Sequence, residues 1–230
     1  MARIIEGRRK VAVAFSGGLD SSIIATCAKG RTVVLACSAF AEGSLDSQSA
    51  NRGAGVLGIE LIATKLTPGT VAGELKEMNL SFQTSLMDRS LWCLYSIVSK
   101  SAAGRGAEVI ILGQLADELF GGYAKYQTRL YESGEKEAAA MMERDVKDYQ
   151  ERGMARDVNA CSKWLEPRFP FVSKEVIDLG LSIPVSFKIR DGVRKAVLRE
   201  AATVLGVPRE LVDTPKKAAQ YSSGIQKIAR

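Results

Sequence analysis

The sequence contains no histidine among its 230 residues. Ser-His-Asp and Cys-His catalysis, imidazole acid–base chemistry and histidine-ligated metal sites are therefore excluded for this chain. Cysteine is also scarce: Cys27, Cys37, Cys93 and Cys161 lie far apart and form no CxxC pair. Their apolar contexts predict buried thiols in a reducing compartment, not zinc ligands or disulfides.

Long apolar runs are missing as well, so no segment is expected to cross a bilayer. Residues 1–10 are charged and lack the apolar stretch of a signal peptide. The hydrophobic fraction of 46% argues against disorder. We therefore expect a soluble, cytoplasmic chain with no membrane partner.

The net charge of +6 is unevenly distributed. Residues 188–230 contain ten basic and four acidic side chains, so this segment alone accounts for the whole excess. Such a segment is typical of a solvated positive surface, of a wall facing an anionic substrate, or of a nucleic-acid patch. Composition does not choose between these three.

Four short, apolar, β-branched runs indicate buried strands, separated by helical stretches; they cover residues 11–15, 32–37, 59–63 and 108–112. Strands in which apolar and polar residues do not alternate predict a parallel sheet that is covered by helices on both faces. This predicts a doubly wound α/β fold. Beyond residue 123 the pattern changes to mainly helix. We predict one domain over residues 1–230, with an α/β core at 1–123 and a helical extension at 124–230.

Residues 16–22, SGGLDSS, follow the first predicted strand and open a helix. Gly17 and Gly18 permit a tight turn, and Ser21 and Ser22 add hydroxyl donors at a helix N-terminus, which favours an anion. Asp20 would repel a bare phosphate, so a bridging Mg²⁺ is expected. Because GxxxxGK[ST] is absent, a P-loop kinase or GTPase is excluded.

A GxGxxG match at residues 53–58 ends a helical stretch and precedes a strand. A dinucleotide-binding fingerprint needs the reverse order, strand then helix. We therefore assign these glycines to helix packing and a helix C-cap.

A second motif, GQLADELFGGY at residues 113–123, follows the fourth predicted strand. Ligands of doubly wound sheets bind outside the carboxyl ends of the strands, where both motifs fall. Asp117 is then a second carboxylate for the Mg²⁺ of Asp20, since Mg²⁺ is usually held by one or two carboxylates and substrate phosphates.

Residues 16–22 resemble the PP-loop of N-type ATP pyrophosphatases. Together with residues 116–123 they closely resemble the synthetase domain of asparagine synthetases. The likeness continues in residues 157–171, which match D-x(8)-E-x-R-x-P-F, in residues 195–200, which match K-x-x-L-R-E, and in Arg89 and Tyr95.

The resemblance implies ATP and Mg²⁺ as cofactors, with the metal on Asp20 and Asp117. It implies catalytic roles for Asp117, for position 114 and for a lysine, which we place at Lys216 in preference to Lys217. The nucleotide-binding residues implied are Phe15, Ser16, Gly17, Gly18, Leu19, Asp20, Ser21, Ser22, Leu35, Leu112 and Gly113.

The sequence departs from the family at three positions. Residue 2 is Ala2, where full-length members carry the cysteine of a glutaminase domain. We therefore expect that domain to be absent and ammonia to come from solution or from a separate glutaminase subunit. Gln114 stands where the family has Glu, and Leu115 replaces a glycine. Because Gln cannot accept a proton, these changes predict either ammonia-dependent synthesis or a different acyl acceptor pair.

The sequence therefore predicts an ATP-dependent carboxylate–amine ligase of the asparagine synthetase type. It would adenylate a carboxylate, first of all that of aspartate, release pyrophosphate and transfer the acyl group to ammonia. Two alternatives stay open: a PP-loop enzyme that adenylates an RNA base or uses another acceptor, and a non-catalytic nucleotide-binding regulator. Nucleic acid is the less favoured partner, and homo-oligomer formation is left open.

Overall fold

The computed structural model describes residues 1–78, 85–214 and 223–229. Its centre is a parallel five-stranded sheet with the strand order β3-β2-β1-β4-β5. The strands are β1 (Lys10–Ala14), β2 (Val33–Phe40), β3 (Glu60–Lys65), β4 (Val109–Ile111) and β5 (Glu166–Arg168). The predicted doubly wound α/β fold is confirmed, because non-adjacent strands pair across helical crossovers.

Apolar side chains of the central strands alternate between two buried clusters, one on each face of the sheet. On β1, Val11 and Val13 join one cluster and Ala12 joins the other. On β4, Ile110 faces the same cluster as Ala12. Burial on both faces explains why these strands read as continuous apolar runs rather than as alternating ones.

Helices cover both faces, with α2 and α3 on one side of the sheet and α4 and α5 on the other. Their bounds are α1 Ala2–Ile5, α2 Leu19–Ala28, α3 Leu45–Leu57, α4 Pro68–Lys76, α5 Leu86–Ala103, α6 Ala116–Phe120, α7 Ala124–Ser133, α8 Glu135–Asp148, α9 Met154–Ser162, α10 Lys174–Ser182, α11 Val185–Lys188, α12 Ala196–Val204, α13 Arg209–Val212 and α14 Ile225–Ile228. No helix of the described part of the chain is long and apolar enough to span a membrane.

The second half is mainly helical and also adds strands that the pattern did not predict. Strand β5 pairs with β4 at the sheet edge, and β6 (Ile189–Arg190) with β7 (Val193–Arg194) forms a short antiparallel hairpin. A π-helix at Tyr149–Gly153 joins α8 to α9. These elements bring residues of the second half to the carboxyl ends of β1 and β4.

The glycines at residues 53–58 lie in and after α3, as expected for packing and capping. Gly58 ends α3 in the left-handed conformation with φ of 60°. A Cβ atom on Gly53 would lie 3.1 Å from the Cα atom of Gly17 and from the ring of Phe15. The small residue at 53 therefore lets α3 pack closely against the loop after β1.

Candidate functional site

The loop after β1 makes a tight turn that only glycine fits. Gly17 has a φ of 72°, and a Cβ atom there would lie 2.1 Å from the backbone oxygen of Ser49. L side chains rarely adopt this backbone conformation, and the contact with α3 leaves no room for one. The turn places Gly18 in extended conformation as the N-cap of α2.

Local hydrogen bonds hold the start of α2 open toward the carboxyl ends of the strands. The Ser16 hydroxyl accepts a bond from the Gly18 amide at 3.3 Å, and the Ser21 hydroxyl donates to the Gly18 carbonyl at 3.1 Å. The first turn of an α-helix presents amide groups without intrahelical acceptors, together with the positive end of the helix dipole. This is the strand–loop–helix geometry of an anion site.

Two carboxylates and one ammonium meet beside this loop. Lys195 Nζ lies 2.6 Å and 2.7 Å from the two carboxylate oxygens of Asp20 and 2.8 Å from Oδ1 of Asp117. Asp20 belongs to the first turn of α2 and Asp117 to α6, so the two motifs that the sequence singled out are brought together. Their common partner comes from the second half of the chain.

Lys195 is almost completely enclosed, with 2% of its side chain exposed. Burial lowers the pKa of its ammonium, but the charges and hydrogen bonds of Asp117 and Asp20 outweigh burial and raise the pKa above its ordinary value. Gly122 makes room for this arrangement, because a Cβ atom there would lie 1.8 Å from Oδ1 of Asp117. The triad is thus a buried, charged cluster with two negative groups and one positive group.

Glu118 follows Asp117 on α6 and has a different environment. Burial, together with the nearby charge of Asp117, raises the pKa of the Glu118 carboxyl to about 6, although a hydrogen bond from Tyr123 opposes the shift. The Tyr123 hydroxyl donates to Glu118 at 2.8 Å. Glu118 can therefore change its protonation state near neutral pH.

Asp20 and Asp117 border a cleft that is partly open to solvent. The lining comes from the ends of β1, β2 and β4 and from α2, α3, α5 and α6. It comprises Ala14, Phe15, Ser16, Asp20, Ser21, Cys37, Ser38, Ala39, Asp46, Leu94, Tyr95, Val98, Leu112, Gly113, Gln114 and Asp117. Burial raises the pKa of the Cys37 thiol to about 12, so this thiol is not a nucleophile.

Some predicted nucleotide-binding side chains lie away from the cleft. Leu35 is 1% exposed and packs in the core on β2, two residues before Cys37, where the cleft begins. Leu19 packs in the core on the other face, and Ser22 is completely buried. Their placement follows from the fold, because Leu35 lies before the carboxyl end of its strand and the other two point back from α2 into the protein.

The remaining predicted residues either line the cleft, shape its loop or lie outside the described part of the chain. Phe15, Ser16, Leu112 and Gly113 line the cleft with the carboxylates, while Gly17 and Gly18 shape its loop. Gln114 also lines it, and its Nε2 donates to the buried carboxylate of Asp157 at 2.5 Å. Lys216 and Lys217 lie outside the described residues.

Lys195 is a site residue that was not predicted from the sequence. Its side chain reaches Asp20 from 175 positions away in the chain. The one available signal was the K-x-x-L-R-E resemblance of residues 195–200, which carried no role for the lysine.

The carboxylate pair suits Mg²⁺ only together with another ligand. No cluster of three or more His, Cys, Asp or Glu side chains that could hold a metal lies within residues 1–78, 85–214 and 223–229. Yet Asp20 and Asp117 already converge on one cationic group, the ammonium of Lys195. Two carboxylates completed by substrate phosphates are a usual Mg²⁺ donor set, so the residues fit a metal that arrives with a nucleotide.

Fold and site together define an α/β domain with a glycine-containing strand–loop–helix turn and a carboxylate pair at the carboxyl edge of a parallel sheet. The chain matches the asparagine synthase family over residues 1–140 and 129–229, and so it belongs to the asparagine synthase family. This is a family of ATP-dependent, amide-forming ligases.

Individual proteins agree with this assignment. The chain is 29% identical to the protein named "Putative asparagine synthetase (glutamine-hydrolyzing) 1" of Methanocaldococcus jannaschii, over 97% of this chain and 48% of that protein. It is 33% identical to asparagine synthetase (glutamine-hydrolyzing) 1 of Bacillus subtilis, over 50% of this chain and 18% of that one. The chain thus spans about half or less of the length of these relatives.

The fold is also similar to that of a solved structure. NMN synthetase from Francisella tularensis superimposes with a TM-score of 0.51 at 16% identity, over 99% of this chain and 78% of that one. At this level of identity the likeness concerns the fold alone.

Proposed function

We propose that the protein is an ATP-dependent ligase that adenylates a carboxylate, releases pyrophosphate and transfers the acyl group to a nitrogen nucleophile. One observation carries the proposal: Asp20 and Asp117, which share the buried ammonium of Lys195, line a cleft that Ser16 and Ser21 at the start of α2 also border. A positive helix end, an ammonium and a carboxylate pair together suit a metal-bound polyphosphate. Membership of the asparagine synthase family supports the same chemistry.

ATP would lie across the carboxyl ends of the strands. The adenine is proposed to lie over the end of β2, at Cys37–Ala39, and beside Leu112 and Gly113, where the cleft is lined by small or apolar groups. The triphosphate then extends to the start of α2, with its β- and γ-phosphates facing the amides of residues 17–21. Lys195 is placed to turn from its carboxylates toward the phosphate oxygens.

Asp20 and Asp117 would hold Mg²⁺ when the nucleotide binds. The metal would supply charge neutralisation for the pyrophosphate that leaves. If Mg²⁺ replaces the Lys195 ammonium between the two carboxylates, their negative charge remains balanced by a cation in both states. The lysine and the metal are therefore proposed as complementary partners of the same two residues.

The first reaction needs little covalent chemistry from the protein. A substrate carboxylate attacks the α-phosphorus of ATP, and our first candidate is the β-carboxylate of aspartate. The bond between the α-phosphorus and the oxygen that bridges the α- and β-phosphates breaks. The helix N-terminus and Lys195 stabilise the negative charge that develops on pyrophosphate. In the second reaction ammonia attacks the acyl carbon and AMP leaves; Lys216 is our proposed cation for this step.

ATP–pyrophosphate exchange in the presence of single amino acids tests the proposal. We expect aspartate to support Mg²⁺-dependent exchange, and we expect Asp20→Asn and Asp117→Asn to reduce it at least a hundredfold, since each removes one metal ligand. Asp178→Asn is the matched control, because the Asp178 side chain is 61% exposed and pairs with Lys174 on α10. This control should keep full exchange.

Three results would contradict the proposal. Normal exchange in both site variants would place the metal elsewhere. AMP release stimulated by transfer RNA and not by amino acids would assign the domain to RNA-base adenylation. Tight ATP binding without pyrophosphate release, whichever carboxylate is offered, would identify a nucleotide-binding regulator.

A further inference from the structure

Lys195 directly follows a short hairpin with a well-defined turn. Strands β6 and β7 pair in antiparallel fashion, with Ile189 opposite Arg194. Asp191 and Gly192 form the two-residue turn, with φ of 51° and 78°. Positive φ at both positions is typical of the type I′ turn, which matches the twist of the strands and favours Asp-Gly. The hairpin is therefore a compact unit that ends at the residue before Lys195.

The backbone of Lys195 has a conformation that residues with a Cβ atom rarely adopt. Its φ is 58° and its ψ is 32°, and it occupies the N-cap position of α12. N-cap residues normally have extended backbone, and left-handed backbone is strained for any residue except glycine. Strained backbone persists where the surrounding structure holds it, and it is concentrated at functional sites. The neighbours of Lys195 must therefore hold its conformation.

Arg194 makes two contacts that hold this backbone. Its guanidinium donates from Nη1 to the carbonyl oxygen of Gly122 at 2.8 Å. Its own carbonyl accepts a hydrogen bond from Nε of Arg199 at 3.0 Å. Since Arg199 lies on α12, the peptide unit between Arg194 and Lys195 is fixed by the helix that follows it. Arg194 is thus anchored both to α12 and to the residues that end α6.

Gly122 connects this anchor to the other side of the charged cluster. Its amide donates to the backbone carbonyl of Asp117 at 2.8 Å, while its carbonyl accepts from Arg194. A continuous path of hydrogen bonds and covalent bonds therefore joins the backbone of Asp117 to the backbone of Lys195. The position of the ammonium relative to the carboxylate is set by this path as well as by their opposite charges.

We infer that Arg194 is a positioning residue that holds the backbone of Lys195, so that the ammonium lies between the two carboxylates and within reach of the pyrophosphate. The inference rests on the proposed function. A lysine carries its charge on a flexible four-carbon stem, and a fixed backbone limits the positions that this charge can take. Arg194 acts through Lys195 and not on the nucleotide, because its guanidinium donates to the Gly122 carbonyl.

ATP–pyrophosphate exchange measures the effect on the reaction, with the carboxylate that the wild-type protein accepts, aspartate in the first instance. Arg194→Ala removes the donor to Gly122. We expect the maximal exchange rate to fall about tenfold to a hundredfold, the effect of one lost hydrogen bond from a charged group. The KM for the carboxylate should stay unchanged, because Lys195 is proposed to act on pyrophosphate. Arg194→Lys keeps a cationic donor for this carbonyl and should recover most of the rate.

Acetylation of lysine side chains, mapped by mass spectrometry, measures the position of Lys195 without any turnover. Lys195 is 1% exposed and Lys188, just before the hairpin, is 2% exposed, so both should resist acetylation in the wild-type protein. In Arg194→Ala we expect acetylation of Lys195 to become about tenfold faster, since the lost hydrogen bond shifts the local equilibrium by at least that factor. Lys188 should keep its wild-type rate and reports on the integrity of the surrounding fold.

Arg190→Ala is the matched control. Arg190 lies on the same hairpin and pairs with Glu200, but its side chain is 50% exposed. Exposed ion pairs contribute little to stability, so this variant should change the exchange rate and the acetylation of Lys195 by no more than about twofold.

The outcomes separate this inference from the proposed function. If the wild-type protein shows no exchange with any carboxylate, the proposed function fails, and acetylation alone decides whether Arg194 holds Lys195. If the wild type is active, full exchange in Arg194→Ala or unchanged acetylation of Lys195 would overturn the inference. Equal gains at Lys195 and Lys188 would also overturn it, because Arg194 would then stabilise the fold as a whole. A rate in Arg194→Lys no higher than in Arg194→Ala would show that the bond to Gly122 is not the cause.

Discussion

Replacement of Lys195 by methionine removes the cation that joins Asp20 to Asp117 and keeps a side chain of similar length. Only 2% of the Lys195 side chain is exposed, against 16% for Asp20 and 12% for Asp117, so water cannot fully replace the ammonium. In the variant, two buried carboxylates that shared one positive charge face each other uncompensated. The free energy of unfolding should therefore decrease.

The expected size follows from the burial. Breaking a buried ion pair by removing one partner costs about 3–5 kcal/mol, mostly because the remaining charge stays buried. For a chain of this length the loss corresponds to a decrease in Tm of roughly 6–20 °C. Protonation of one carboxyl relieves the repulsion, so the difference from wild type should shrink as the pH is lowered.

Urea denaturation and thermal unfolding at several pH values, with and without MgCl₂, measure these effects. We expect Mg²⁺ to stabilise Lys195→Met more than wild type, since the vacated pair binds a cation only in the folded state. Lys174→Met is the matched control: this lysine is 84% exposed and pairs with Asp178 on α10, so its loss should change stability by less than about 0.5 kcal/mol. Equal stability of Lys195→Met and wild type across pH would refute the buried-triad argument.

The remaining predictions concern the loop and α6. Gly17→Ala should abolish ATP binding measured by calorimetry, because its Cβ atom would lie 2.1 Å from the Ser49 backbone oxygen at a φ of 72°. Gly122→Ala should displace Asp117 and lower ATP–pyrophosphate exchange at least tenfold, because its Cβ atom would lie 1.8 Å from Oδ1 of Asp117. Glu118→Gln should raise the free energy of unfolding at pH 7.5 by up to about 2 kcal/mol. The pKa of the Glu118 carboxyl is raised to about 6 in the folded protein, so ionisation of this group destabilises the fold as the pH rises through that value, and Gln cannot ionise.

Each of these three predictions would be contradicted by a specific result. Wild-type affinity for ATP in Gly17→Ala would show that the loop can open without cost. Unchanged exchange in Gly122→Ala would show that the triad is not used in its observed position. For Glu118→Gln, a stability difference from wild type that stays constant between pH 4.5 and 7.5 would contradict the raised pKa.

The strands of the sheet could be predicted where they consist of continuous runs of apolar residues. The predicted apolar runs at β1, β2 and β4 are nearly continuous because both faces of these strands are buried. Strand β5 escaped prediction because it has three residues, Glu166, Pro167 and Arg168, of which none is apolar in the usual pattern of a buried strand. Its place at the sheet edge tolerates both proline and charge.

The site was predictable in part for a geometric reason. Two motifs that follow neighbouring parallel strands must meet at one edge, which is why Asp20 and Asp117 were expected together. Lys195 has no such local signal, since it precedes α12 in a left-handed conformation with φ of 58°. The buried network around Asp157 depends likewise on the packing of α9 against the sheet, which periodicity alone does not specify.

The most direct test is a crystal structure of the protein with Mg²⁺ and the α,β-methylene analogue of ATP. We predict that the β- and γ-phosphates contact the amides of residues 17–21 and that the metal lies between Asp20 and Asp117, with Lys195 turned to the phosphates. A triphosphate bound away from this loop, or bound here while both carboxylates keep their contacts with Lys195 and no metal is present, would contradict the account.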